Sequence, residues 1–150
     1  MIHAQGMEMS NKDDTMSLVG DVIIEQEIGG VIESRNLFIN HADGEKHYES
    51  KERTIYRSKD NTISAEMGMD LDMNKHLMKL LGKVEVLNSS GSTMNSYNLI
   101  VDQSNRGEVY KTNDSTHYQT QVSDIHAKRM HYDAKTKKVE LMGGVLGVYK

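Results

Sequence analysis

The sequence predicts an all-β chain made of two tandem copies of one unit of about 62 residues, followed by the opening strand of a third. Three observations predict it. A Leu-x-Gly-x-Val pattern recurs three times, at Leu18-Val19-Gly20-Asp21-Val22, Leu80-Leu81-Gly82-Lys83-Val84 and Leu141-Met142-Gly143-Gly144-Val145. Its glycines are separated by 62 and 61 residues, and the residues between them match at the same offset. Short β-branched runs with period-two alternation lie between clusters of turn residues.

The matches run through the whole unit. Ser34 falls on Ser96, Asn36 on Asn98, Leu37 on Leu99, Tyr48 on Tyr110, Thr54 on Thr116, Tyr56 on Tyr118, Ile63 on Ile125 and Ala65 on Ala127. After one deletion, Met69 falls on Met130 and Asp72 on Asp133.

Each unit opens on a strand, Val22-Ile23-Ile24 or Val84-Glu85-Val86, and breaks at Gly29-Gly30 or Ser89-Ser90-Gly91-Ser92. Next come Asn36-Leu37-Phe38-Ile39 and Asn98-Leu99-Ile100-Val101, then short polar strands around Tyr48 and Tyr110. Residues 62–69 alternate, which predicts Ile63, Ala65, Met67 and Met69 on one face. Leu71, Met78 and Leu81 have near-helical spacing, but the equivalent residues Asp133-Ala134-Lys135-Thr136 read as a turn and Lys138-Val139-Glu140-Leu141 as a strand. Two copies of one unit share a fold, so Asp72-Met73-Asn74-Lys75 is predicted to be a hairpin turn. The glycines inside strands, Gly20, Gly82 and Gly143, are expected at bulges or close backbone approaches.

Residues 1–16 are polar, lack the apolar stretch of a signal peptide, and read as a flexible leader; residues 17–150 are expected to form a single domain. With no Trp and a single Phe, Phe38, the core must be aliphatic, and 11 methionines add flexible, polarizable filling. The net charge of −4 has no basic concentration, which excludes a nucleic-acid face. The absence of Cys removes disulfides and thiolate metal sites. No proline blunts the sheet edges, so open ends of the repeat invite added strands.

A search for chemistry yields no catalytic residues, no cofactor and no metal. His41, Asp43 and His47 do not have zinc-ligand spacing. His126, between Ile125 and Ala127, is expected on the outer surface. Asp72 and Asp133 recur at turn positions, where backbone hydrogen bonding accounts for them. No hydrolase, Walker or dinucleotide motif is present.

The strand opener Leu81-Gly82-Lys83-Val84-Glu85-Val86, the element Ser96-Tyr97-Asn98-Leu99, and the closing stretch from Ile125-His126-Ala127 through Met130-His131-Tyr132-Asp133 to Leu141-Met142-Gly143-Gly144-Val145-Leu146-Gly147-Val148-Tyr149 resemble the OstA-like units of lipopolysaccharide export proteins. The closing stretch is similar to the end of LptC-like proteins, and the likeness spans about Ser17 to Tyr149. This resemblance implies an elongated periplasmic β-jellyroll that carries lipopolysaccharide without catalysis. It implies receipt from an inner-membrane ABC transporter at the N-terminal end and transfer to an LptA-like bridge protein at the C-terminal edge. LptC-like proteins carry an N-terminal membrane anchor, so the resemblance implies either an anchor outside this chain or a bridge-like protein with a processed leader. The alternative from the residues alone is a structural or adhesive β-repeat that assembles through its strand edges.

The alternation and the resemblance together place an acyl-chain interior at Ile63, Ala65, Met67, Met69, Val84, Val86, Leu99, Val101, Ile125, Ala127, Leu141 and Val145. The strand from Gly144 to Tyr149 opens a unit that is not completed, so Val145, Leu146, Val148 and Tyr149, uncharged as far as Lys150, are expected to form the partner edge.

Overall fold

The computed structural model describes residues 1–105 and 107–149, and only the backbone of Tyr149. Its described residues form 15 strands in one continuous antiparallel sheet, with a single 3-10 turn at Ala42–Gly44. The strands are β1 (Ile2–Ser10), β2 (Thr15–Glu25), β3 (Val31–Asn40), β4 (His47–Ser50), β5 (Thr54–Arg57), β6 (Asn61–Ala65), β7 (Met69–Asp72), β8 (Leu77–Asn88), β9 (Thr93–Asp102), β10 (Val109–Thr112), β11 (Thr116–Gln119), β12 (Ser123–Ala127), β13 (Arg129–Asp133), β14 (Lys138–Met142) and β15 (Leu146–Tyr149).

The long strands belong to two half-sheets at once. The first part of β8 pairs with β7, and its second part pairs with β6. The two ends of β3 pair likewise with β4 and β5, and those of β9 with β10 and β11. One half-sheet therefore runs through β4, β7, β10, β13 and β14, and the other through β5, β6, β11, β12 and β15. Their inner faces meet in a single apolar core that includes Ile32, Leu37, Ile63, Leu71, Met78 and Leu99. This is a jellyroll-like roll.

The bend between the half-sheets is built by two residue types. Between Leu80 and Lys83 the register slips, and β8 carries one residue more than β9. The same slip separates Leu18 from Asp21 in β2. Gly82 sits in the slip with φ +76°, and a Cβ there would lie 2.5 Å from the Met67 Cγ. Opposite it, Asn98 also has positive φ, +52°, and its Oδ1 accepts from the Gly82 N–H at 3.0 Å. Asn36 serves Gly20 in the same way at 2.9 Å. Asparagine tolerates the left-handed conformation because its short side chain can bond locally. The turn at Asn98 leaves Tyr97 and Asn98 both outside, while Ser96 and Leu99 both point in.

Other contacts repeat at the predicted offset. Ser34 bonds Thr54 at 2.9 Å, and Ser96 bonds Thr116 at 3.0 Å. Ser50 and Thr112 each donate to a corner carbonyl, Arg35 or Tyr97, at 2.7 Å. The segment with helical spacing is the β7–β8 hairpin, whose turn is held by Asp72 Oδ1 accepting from the N–H groups of Asn74 and Lys75. Asp133 does the same for Lys135 and Thr136.

The opening residues depart from the expected flexible leader. Ile2–Ser10 is a strand paired with β2 from Ile2↔Ile24 to Ser10↔Thr15. Most of its side chains are exposed, so the segment shows no core-facing periodicity to a sequence reader. It is held by the ladder and by Gln5, whose Oε1 accepts from the Asp21 N–H at 3.1 Å beside the Gly20 corner.

The corner geometry makes a prediction. Asn98→Ala loses the bond to Gly82 and forces a residue with a Cβ and no local partner into positive φ, so it is expected to destabilise the protein by about 1–3 kcal/mol. Asn36→Ala is expected to cost a similar amount. Urea unfolding of both variants measures this; a corner that does not matter would leave both midpoints unchanged.

Candidate functional site

The interior is largely aliphatic, with Tyr56, Tyr110 and Tyr132 also buried, and it is closed in this conformation. Ile63, Ala65, Met69, Val84, Val86, Leu99, Val101 and Ala127 are buried between the half-sheets, as their alternation places them. Ile125 and Leu141 are half-buried, and Leu141 packs against the core margin. Four methionines, Met69, Met78, Met94 and Met130, are fully inside. Their unbranched side chains fill irregular space and can repack around a new neighbour.

Two residues expected inside are outside. Met67 is 62% exposed. The alternation it was read from stops at Ala65, where β6 ends, and resumes at Met69 with β7. Gly68 makes the break with φ +97°, where a Cβ would lie 2.0 Å from the Ser50 carbonyl oxygen. Met67 instead lies over the Gly82 corner. Val145 is 46% exposed because it falls in the turn after Gly143 and Gly144, between β14 and β15.

At the C-terminal end, β14 pairs only with β13 and β15 only with β12 among the described strands, so both half-sheets end in an open edge. Leu146 and Val148 are exposed on β15. The Tyr149 backbone pairs with Ser123, while its side chain and Lys150 lie outside the described residues.

Opposite the corners, the strand ends of the two half-sheets come together, and polar side chains tie them across the gap. Gln103, just after β9, donates to the Tyr56 hydroxyl at 2.8 Å, to Glu108 at 3.1 Å and to the Gln26 Oε1 at 3.2 Å. Tyr56 donates to Glu108 Oε2 in a short bond, and Tyr110 donates to Oε1 at 3.2 Å. Asn61 extends the network by donating to Tyr110, and Asn88 donates to Asn61. Burial, reinforced by the adjacent Glu108 charge, pushes the Tyr56 and Tyr110 phenols well above their ordinary range, so both stay protonated donors. Among the described residues, every buried side-chain N and O has a partner.

This latch joins one half-sheet (Gln26, Tyr56, Asn61) to the other (Gln103, Glu108, Tyr110). Two grooves flank it, one mainly apolar and one mixed. One, of about 330 Å³, is lined by Ile24, Ile28, Tyr48, Leu71 and Met73. The other, of about 280 Å³, is lined by Met94, Tyr118, Tyr132 and Val139 among polar turn residues. The mouth of the roll is therefore closed by hydrogen bonds in its middle, with a mainly apolar groove on one side and a mixed one on the other.

Sequence reading missed the latch. Gln103 and Glu108 carry no motif and lie in a turn. Only the structure shows that the matched tyrosines are not equivalent: Tyr56 and Tyr110 are buried and hydrogen-bonded, while Tyr118 and Tyr48 are half-buried. Spacing also missed His117, Asp124 and His126, which strand pairing brings together. His126 is on the outer face, as its alternation places it. His47 bonds Asp70 across β4 and β7, and that bond raises its imidazole above the ordinary value.

An antiparallel roll with an apolar interior, a polar-latched mouth and open strand edges has the architecture of a β-jellyroll. Residues 71–150 match the model of the family described as lipopolysaccharide-assembly, LptC-related. The match covers more than half of the chain, and the chain belongs to this family, whose members are envelope proteins of lipopolysaccharide transport. A comparison with curated proteins finds no match. No helix among the described residues is long and apolar enough to cross a membrane.

The latch yields a prediction. Tyr56→Phe leaves the buried Gln103 and the Glu108 carboxylate each short of a partner, at a cost of about 1–3 kcal/mol. Chemical denaturation is expected to show that loss, together with faster hydrogen exchange at the backbone amides of Gln103 and Tyr110. An unchanged midpoint with unchanged exchange would show that the network does not hold the mouth.

Proposed function

We propose that this protein is a non-enzymatic periplasmic carrier of lipopolysaccharide, with the acyl chains lodged between its half-sheets. The observation that carries the reading is an apolar interior closed at its mouth by a polar latch, in a chain of the LptC-related family. Burial of alkyl chains supplies the driving force, at roughly 25 cal/mol for each Å² of apolar surface removed from water. The interior side chains are packed in this conformation, so loading requires the half-sheets to part. Met69, Met78, Met94 and Met130 then line the interior with groups able to repack.

Ile63, Ala65, Met69, Val84, Val86, Leu99, Val101 and Ala127 contact the lipid in this reading, with Ile125 and Leu141 at the margin. Met67 and Val145 do not. The lipid is received from an inner-membrane ABC transporter at the N-terminal end. It is passed to an LptA-like bridge protein that adds strands to the β14–β15 edge. Leu146 and Val148 flank that docking line, and unpaired strand edges are ready templates for such augmentation.

Benzoylphenylalanine placed at Tyr118 or Tyr132, on the rim of the mouth, is expected to crosslink lipopolysaccharide under ultraviolet light. The same probe at Glu85, on the outer face of β8, is expected to give no adduct. Equal labelling at all three positions would remove the interior as the lipid site, and a chain that polymerises without binding lipid would favour the structural reading.

For the edge, the double variant Leu146→Lys, Val148→Lys places like charges along β15 at positions 73% and 66% exposed. Its affinity for the bridge protein in a calorimetric titration is expected to fall tenfold or more, with the fold retained. Unchanged affinity would place the contact elsewhere.

A further inference from the structure

The β11–β12 hairpin carries a second constellation, on the outer face of the roll and away from the mouth. His117 and His126 are directly opposite in the ladder, and Asp124 lies two residues before His126 on the same face. The inward neighbours, Thr116, Ser123 and Ala127, are buried, which fixes the outward direction of the other set. The two imidazoles stack 4.0 Å apart with planes 11° from parallel. His117 Nε2 bonds Asp124 Oδ1 in a short contact, and His126 Nε2 lies 3.6 Å from the same oxygen. One donor atom from each of the three residues falls within 4.8 Å of the others.

We propose that His117, Asp124 and His126 bind a divalent transition-metal ion. Two imidazole nitrogens and one carboxylate oxygen are the ligand set of zinc and its neighbours, and they disfavour calcium and magnesium, which take oxygen ligands. A tetrahedral ion held at about 2.0–2.1 Å places its ligand atoms roughly 3.3–3.4 Å apart. The lone pair of each Nε2 lies in its ring plane, so the stacked imidazoles must turn out of their near-parallel arrangement for both to face one ion. The carboxylate's second oxygen accepts from Gln119 Nε2 at 3.4 Å. Such outer hydrogen bonds fix the direction of metal ligands. Three protein ligands leave a fourth position for water, and His117 and His126 line a surface depression of about 390 Å³ together with Tyr97, Lys83 and Lys128.

The position gives the ion a structural consequence. β12 supplies two of the ligands and pairs on its other side with β15, the last strand of its half-sheet. An ion bridging β11 and β12 stiffens the hairpin on which that edge strand rests.

Titration of the whole chain with zinc chloride in a calorimeter at pH 7.5 tests the site. One ion per chain is expected, with affinity reduced at least tenfold in His117→Ala and in Asp124→Asn. His126→Gln, at a side chain 63% exposed, tests the same ligand without risk to the fold and is expected to lose affinity to the same degree. His131→Ala and His41→Ala, outside the cluster, are expected to bind as the parent does. Zinc at a hundredfold excess over its Kd is expected to raise Tm by about 5–10 °C in the parent and not in His126→Gln. No saturable site, or a site that survives both His117→Ala and His126→Gln, would overturn the proposal and leave the cluster as a surface ion pair.

Discussion

The fold depends on the bend in the long strands. A flat sheet of this length would expose one apolar face, whereas a strand that turns midway can serve two half-sheets whose apolar faces cover each other. The turn requires a backbone that most residues resist, and here it is made by a glycine and an asparagine in left-handed conformations, joined by one hydrogen bond. The core between the half-sheets, the latch at the mouth and the two open ends all follow from that corner. Gly143 has the same positive φ, +80°, but β14 and β15 are separate strands there.

Much of this was legible because the chain repeats itself. The Leu-x-Gly-x-Val pattern marked the bulges, and Asn-Leu marked the residue that answers each glycine. The apparent helix at Asp70–Lys83 was resolved by its copy, since Asp133 could be recognised as a turn residue where Asp72 was ambiguous. What stayed illegible has physical causes. β1 is held by backbone bonds on an exposed edge, where no side-chain periodicity is required. Met67 looked interior because the reading carried alternation through Gly68, whose positive φ breaks it. Val145 looked interior by analogy with Val22 and Val84, but the doubled glycine, Gly143-Gly144, uncouples it from the strand. The latch joins residues distant in sequence, such as Gln26 and Gln103, and only the folded roll brings them together.

A carrier of acyl chains has to be stable when empty and open when loaded. In the proposed function, the corner side and the mouth side of this molecule divide those demands. At the corners, the chain is fixed by backbone conformation and by serine and threonine bonds that repeat in both copies. At the mouth, the half-sheets are joined by side-chain hydrogen bonds that are individually modest in net worth, about 0.5–1.5 kcal/mol for neutral pairs and more for those to a carboxylate. Parting the mouth costs those bonds and exposes methionines, which adapt their shape more readily than branched side chains. In the proposed function, the corner is the hinge side of the roll and the latch its opening side.

The most direct test of this account locks the mouth. The chain has no native cysteine, so Gln26→Cys and Gln103→Cys can be joined specifically by a short bismaleimide across the latch. Lipopolysaccharide binding is then measured before and after linkage, with circular dichroism to confirm the fold. The account predicts that the unlinked double variant binds and that the linked protein, still folded, does not. Equal binding by the linked and unlinked forms would contradict it, because the lipid would then reach its site without the half-sheets parting at the latch.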